Sequence, residues 1–119
     1  MPIAIVDDDE ALREAMKSLV RSLGYGVSTF GSAEEFLNSE QINSTSCLIT
    51  DLQMPGLSGL DLQERLIAQG HRFPIIFLTA YPNEDVRVRA MRAGAIGFLS
   101  KPYSHNHLLD CLDKALKAA

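Results

Sequence analysis

Asp7, Asp8 and Asp9 follow one short apolar run of the chain, and Asp51, Thr79 and Lys101 each stand after another. Carboxylates, a hydroxyl and an ammonium are groups that handle phosphate and hard metal ions once a fold brings them together. Two carboxylates about 4 Å apart repel by ~1 kcal/mol in water and by ~4 kcal/mol at an effective dielectric constant near 20. One lysine cannot offset three acids, whereas a divalent cation with oxygen ligands can. Mg²⁺ typically takes one or two carboxylates and completes its shell with water and phosphate oxygens. The four segments therefore read as an incomplete Mg²⁺ site whose missing ligand is a phosphoryl oxygen. The Thr79 hydroxyl and the Lys101 ammonium are the donors that such an oxygen would want. Asp51 can then serve as the nucleophile that forms an acyl phosphate.

Each residue also has a plainer reading. Three aspartates before a helix can cap it and favour its first turn, Thr79 can be another cap, and Lys101 can be a solvated surface charge. A calcium loop is excluded, because the acids at 7 to 9 lack the alternate spacing, the glycine and the closing glutamate of an EF-hand. What sets the chemical reading above the plain one is position, and position depends on the elements between these residues.

Apolar runs and helical periods alternate along the chain. Ile3 to Val6 reads as a short buried strand, and Ala11, Leu12, Ala15, Met16, Leu19, Val20 and Leu23 repeat at helical spacing up to Gly24. Tyr25 to Phe30 is a second strand, Ser32 caps a short helix through about Glu40, residues 41–45 form a polar loop, and Ser46 to Thr50 is a third strand. After the turn Met54-Pro55-Gly56, Ser58 caps a helix carrying Leu62, Leu66 and Ile67 that ends before Gly70. Ile75 to Leu78 is apolar on both faces, as a central parallel strand should be. A helix from Asn83 to Ala93, a strand from Ile96 to Leu99 and a helix from about Ser104, with Leu108, Leu109, Leu112, Ala115 and Leu116 on one face, complete five β-α units.

Such alternation requires right-handed crossovers and a parallel sheet covered on both faces. The expected fold is α/β, a flavodoxin-like doubly wound sheet of five strands in the order 2-1-3-4-5 with five helices, formed as one domain over residues 1–119. In such sheets the ligand crevice lies beyond the carboxyl ends of the strands, at the switch point between the first and third. The acids, Thr79 and Lys101 all fall at those ends.

Composition bounds the partners. The 119 residues are 46% hydrophobic and 22% charged, an ordinary make-up for a globular domain. Lys and Arg number 11 against 15 Asp and Glu, and this balance of −4 argues against a nucleic-acid surface. No apolar run approaches the ~20 residues of a membrane span, and three aspartates follow the first apolar run where a signal peptide would need a longer one. Cys47 and Cys111 fall in core-like segments and are expected as buried, reduced thiols, which fits a cytoplasmic location.

Asp7-Asp8, Asp51 followed by Met54-Pro55-Gly56 and Gly59, Thr79-Ala80, Ala93-Gly94-Ala95, Phe98 and Lys101-Pro102 occur in one order and spacing. In these motifs, over essentially its whole length, the chain resembles the receiver domains of two-component response regulators. The resemblance implies that Asp51 accepts a phosphoryl group from the phosphohistidine of a sensor histidine kinase. It implies Mg²⁺ held by Asp8, Asp51 and the main-chain carbonyl of Gln53, with Asp7 acting through water. Lys101 would pair with the phosphoryl group, and its peptide bond to Pro102 would be cis. Thr79 would move to bond a phosphoryl oxygen and Phe98 would swing inward, reshaping the face made by helix four, strand five and helix five. An output domain or a second copy of the chain is the partner implied for that face. Gln53 and Tyr81 take positions where the family tunes water access to the phosphoryl group.

The run Met54 to Leu60 resembles receivers fused to helix-turn-helix transcription factors, with Ser58 where many relatives carry an acid. A piece of a longer, transcriptional regulator is therefore expected over a stand-alone receiver. Arg87, Arg89 and Arg92 do not all share one face of their helix and read as solvated or partner-facing. His105 and His107 lie on nearly opposite sides of a helix and cannot share a metal, and His71 falls in a loop.

Three other functions compete. An aspartyl-phosphate phosphatase needs a general acid two residues after its nucleophile, and Gln53 is an amide there. A flavodoxin-type cofactor protein needs a Ser-, Thr- or Gly-rich phosphate loop where this chain has three acids. A receiver-like module that binds partners without phosphorylation usually lacks one of the acids or the lysine, and none is missing here.

Overall fold

The computed structural model describes residues 2–117. Five parallel strands form one sheet in the order β2-β1-β3-β4-β5: β1 (Pro2–Val6), β2 (Gly26–Phe30), β3 (Cys47–Asp51), β4 (Ile75–Thr79) and β5 (Gly97–Ser100). Between and after them run α1 (Glu10–Ser22), α2 (Ala33–Leu37), α3 (Gly59–Ala68), α4 (Glu84–Arg92) and α5 (His105–Lys117). This is the doubly wound, flavodoxin-like arrangement expected from the alternation. β3 and β4 are buried at every residue, and for that reason they read as unbroken apolar runs.

Successive strand residues feed two cores. Ala4, Val6, Leu48, Ile75 and Phe77 point to one side of the sheet, against Phe36 of α2, Leu62 and Leu66 of α3 and Ala90 of α4. Ile3, Ile5, Cys47, Ile49, Ile76 and Leu78 point to the other, against Met16 and Val20 of α1 and Leu108, Leu112 and Ala115 of α5. Each fully buried Leu, Ile or Phe contributes on the order of 1.5–3 kcal/mol. The two cores thus clamp the sheet from both sides and leave only its ends free to carry chemistry.

Side-chain caps set where the helices begin. Asp9, Ser32, Ser58 and Asn83 accept from the backbone N–H three residues on, and Ser58 with Asp61 closes a reciprocal capping box. Gly24 and Gly94, with φ of +94° and +107°, follow the last turns of α1 and α4 in a conformation that other residues rarely adopt.

Four local expectations change. α2 stops at Leu37, where the Ser39 hydroxyl donates to the Phe36 carbonyl, and Glu40–Ser44 is a 3₁₀ turn rather than loop. That turn seats Ile42 in the core. In α1 the buried seam narrows to Met16 and Val20, while Leu12 stays 46% exposed. In α3, Ile67 is half exposed and Gln63 is buried in its place. Gln63 reaches across to α4, where its Nε2 donates to the Ala90 carbonyl at 3.1 Å, so the buried amide is satisfied and ties the two helices. Finally, Cys47 is buried but Cys111 only partly so, and both thiols are free. Burial pushes the Cys47 thiol up to about 12, which keeps it protonated and inert.

Candidate functional site

The carboxyl ends of β1 and β3 lie side by side, since Val6 pairs with Thr50. The next residue of each strand, Asp7 and Asp51, therefore reaches the same point of the sheet edge. Carboxylate oxygens of Asp7, Asp8 and Asp51 all lie within 4.8 Å of one another. Asp7 and Asp51 are buried and Asp8 is exposed, so the cluster has a sheltered floor and an open side. Asp9 does not join them. Its carboxylate accepts from Leu12 N–H as the cap of α1, the plain reading open to all three aspartates.

Lys101 enters from the far side of the sheet. β4 and β5 are paired to their ends, with Thr79 opposite Ser100, and Lys101 N–H donates to the Thr79 carbonyl at 2.7 Å. The following Lys101–Pro102 peptide is cis, as the resemblance implied. Lys101 Nζ lies 3.2 Å from Asp51 Oδ2 and 3.8 Å from Asp7 Oδ2. Three acids against this one ammonium leave two negative charges, the number a divalent cation would offset. An all-oxygen donor set without sulfur or imidazole suits a hard ion of the Mg²⁺ type.

The electrostatic strain of the cluster shows at Asp7. Burial raises its carboxyl above the usual 3.8, and the Asp51 and Asp8 charges push the same way. The Asp9 N–H, donating to Asp7 Oδ1 at 2.9 Å, and Lys101 act against them. Arg13, which the sequence did not single out, donates from Nη1 to the Asp7 carbonyl at 2.8 Å and anchors the start of the loop. The only hint in the sequence is its place about one turn into the helix that follows Asp7.

Thr79 closes the site on the β4 side and is fully buried. Its hydroxyl donates to Gln53 Oε1 at 2.8 Å and accepts from Tyr81 N–H at 3.0 Å. Phe98 is half-buried, its ring centroid 6.3 Å from that of Phe77. After β3 the chain is pinned twice, Leu52 N–H donating to the Leu78 carbonyl and Gly59 N–H to the Leu52 carbonyl, both at 2.8 Å. A side chain at Gly59 would meet the Asp51 carbonyl oxygen at 2.7 Å, which explains a glycine there.

Of the remaining polar residues, Arg87 pairs with Glu84 inside α4, and Arg89 reaches Glu64 of α3. Neither ion pair includes Asp7, Asp8 or Asp51. Among the described residues no helix is long and apolar enough to cross a membrane.

The family profile described as the response regulator receiver domain matches residues 3–113. The response regulator protein TodT of Pseudomonas putida is 44% identical over 117 residues, which cover 98% of this chain and 52% of TodT. The transcriptional regulatory protein FixJ of Bradyrhizobium diazoefficiens is 37% identical over 117 residues, 98% of this chain and 57% of FixJ. This chain thus spans about half the length of these relatives. The solved structure of the response regulator StyR superposes with a TM-score of 0.90 at 43% identity, covering 98% of this chain and 60% of that one. Sheet order, profile and relatives agree, and the chain belongs to the receiver domains of two-component response regulators, signalling switches rather than metabolic enzymes.

Proposed function

We propose that the domain, taken as one receiver over residues 1–119, is switched by phosphorylation of Asp51 and controls a transcriptional output domain outside this chain. One observation carries the reading: the buried Asp51 carboxylate lies 3.2 Å from Lys101 Nζ and within 4.8 Å of two further acids. An oxygen of Asp51 attacks the phosphorus of a phosphohistidine on a sensor histidine kinase. The O–P bond forms as the P–N bond breaks, and the imidazole leaves with the bonding pair and takes up a proton.

Asp8, Asp51 and the Gln53 main-chain carbonyl would hold Mg²⁺, with Asp7 acting through water. When bound, the ion supplies positive charge against the acids and the incoming phosphoryl oxygens. Lys101 shifts from its carboxylate partners to a phosphoryl oxygen, a charge-assisted bond. Thr79 turns its hydroxyl to another phosphoryl oxygen. The space it leaves admits the Phe98 ring, and the face of α4, β5 and α5 changes shape, so that added charge biases a two-state element. That face meets the output domain or forms a homodimer. The exposed Leu12 and the apolar groove of about 440 Å³ between α1 and the β5–α5 turn border Asp7 and Lys101, and they offer the kinase an apolar surface beside the acids. The negative net charge leaves DNA to the output domain, and the protein works in the cytoplasm.

The test is intact mass after incubation with Mg²⁺ and a small acyl-phosphate donor. One phosphoryl group on the wild type and none on Asp51→Asn supports the proposal. An unmodified wild type that also releases no phosphate from the donor contradicts it and favours a phosphorylation-independent interaction module.

A further inference from the structure

We propose that Gln53 is a latch on Thr79: its side-chain carbonyl holds the hydroxyl proton that phosphorylation needs, so its bond to Thr79 must break before the switch can close. This deepens the phosphoacceptor reading above and rests on it.

Proton arithmetic is the core of the argument. A threonine hydroxyl has one proton to donate and lone pairs to accept with. Thr79 spends that proton on Gln53 Oε1 at 2.8 Å, while its own hydroxyl oxygen accepts from Tyr81 N–H at 3.0 Å. A phosphoryl oxygen on Asp51 can only accept. It therefore competes with Gln53 Oε1 for a single proton, and the two bonds exclude one another. The Tyr81 N–H imposes no such exclusion, because it uses a lone pair.

The partners differ in burial, which fixes the direction of the effect. Thr79 is fully buried and Gln53 is exposed. When the bond breaks, the Gln53 amide finds water at once, but the buried hydroxyl has no such replacement unless an acceptor arrives at Asp51. The latch thus stabilises the resting arrangement and yields only to a phosphoryl group. Gln53 sits two residues after Asp51, in the turn pinned by Leu52, so it stays within reach of Thr79 while the main chain of the site is unmoved. Gln53 is in this sense a positioning residue: it acts on the reacting site through Thr79.

The experiment is the affinity of the Mg²⁺-loaded protein for beryllofluoride, a phosphoryl mimic that binds an aspartate carboxylate without being hydrolysed. The chains are wild type, Gln53→Leu, Thr79→Val, the double variant and a Gln53→Leu, Thr79→Ser control, with circular dichroism to confirm folding. One neutral hydrogen bond corresponds to roughly a two- to tenfold change in affinity. Gln53→Leu should tighten beryllofluoride binding by about that factor, and the gain should vanish in the Thr79→Val background and return with Thr79→Ser. In the unmodified protein, NMR couplings should also show one fixed Thr79 side-chain rotamer in wild type and averaging in Gln53→Leu. An equal gain with and without the Thr79 hydroxyl, no gain, or a loss overturns the latch alone. No beryllofluoride adduct in any chain overturns the phosphoacceptor reading and the latch with it.

Discussion

Lys101 and Asp51 stand fifty residues apart in the chain, yet the Lys101 ammonium lies 3.2 Å from Asp51 Oδ2 at the sheet edge. Parallel pairing of β1, β3, β4 and β5 brings this about, because every strand ends at the same edge and delivers its next residue there. The ammonium also faces Asp7 at 3.8 Å, so a single cation is shared between two buried acids. Most of what the site is expected to do follows from that shortage of positive charge.

Magnesium should stabilise the folded domain without any phosphoryl donor. Binding to the native state alone at ten times the dissociation constant is worth about 1.4 kcal/mol, which for a domain of this size raises Tm by a few degrees. Thermal melts with Mg²⁺ and with a chelator should differ by that amount, and Asp8→Ala should remove most of the difference. Superimposable wild-type melts would count against a metal site.

The metal-free protein should carry a pH-dependent penalty at Asp7. Burial, the first cause, raises its folded-state pKa above the usual 3.8. The folded chain then holds that proton more tightly than the unfolded chain does, so the ionised carboxylate opposes folding at pH above the raised value. The penalty fades as pH falls through that value and is gone below 3.8. In chelator, Asp7→Asn should therefore be more stable than wild type at pH near 7, with the advantage shrinking toward pH near 4. Urea denaturation at the two pH values reads this directly, and a constant or inverted difference would contradict it.

Gly59 should be intolerant of even one methyl group. A Cβ there meets the Asp51 carbonyl oxygen at 2.7 Å, Leu52 Cα at 3.0 Å and Phe77 Cε1 at 3.1 Å, two of them main-chain atoms with no room to give. Gly59→Ala should cost about 1–3 kcal/mol, the range of an overpacked core, and should disturb the turn after Asp51. Gly26→Ala is the control, since its nearest new contact is an ordinary 4.0 Å. Equal stability of the two variants in urea would refute the steric account.

The fold was legible where burial is uniform. β3 and β4 read correctly to within a residue because nothing in them faces water, and the caps at Ser32 and Ser58 begin their helices as their side chains predict. The reading was poorer where packing overrides pattern. Ile67 and Leu12 look like core residues but lie at the edges of their helices, and Gln63 looks like surface but spans two helices through Ala90. At the site, the strand-end rule located Asp7, Asp51, Thr79 and Lys101 from residue type and position. The Gln53 to Thr79 bond and the Arg13 anchor escaped it, because each joins side chain and partner across a loop, where no periodicity marks the contact.

Which carboxylate receives the phosphoryl group is the measurement closest to the central claim. Wild-type protein would be treated with Mg²⁺ and an acyl-phosphate donor, reduced with borohydride to convert the acyl phosphate to homoserine, digested and mapped by mass spectrometry. The account predicts homoserine at position 51 and intact aspartate at 7 and 8. Homoserine at 7 or 8, or none anywhere after such treatment, would contradict it.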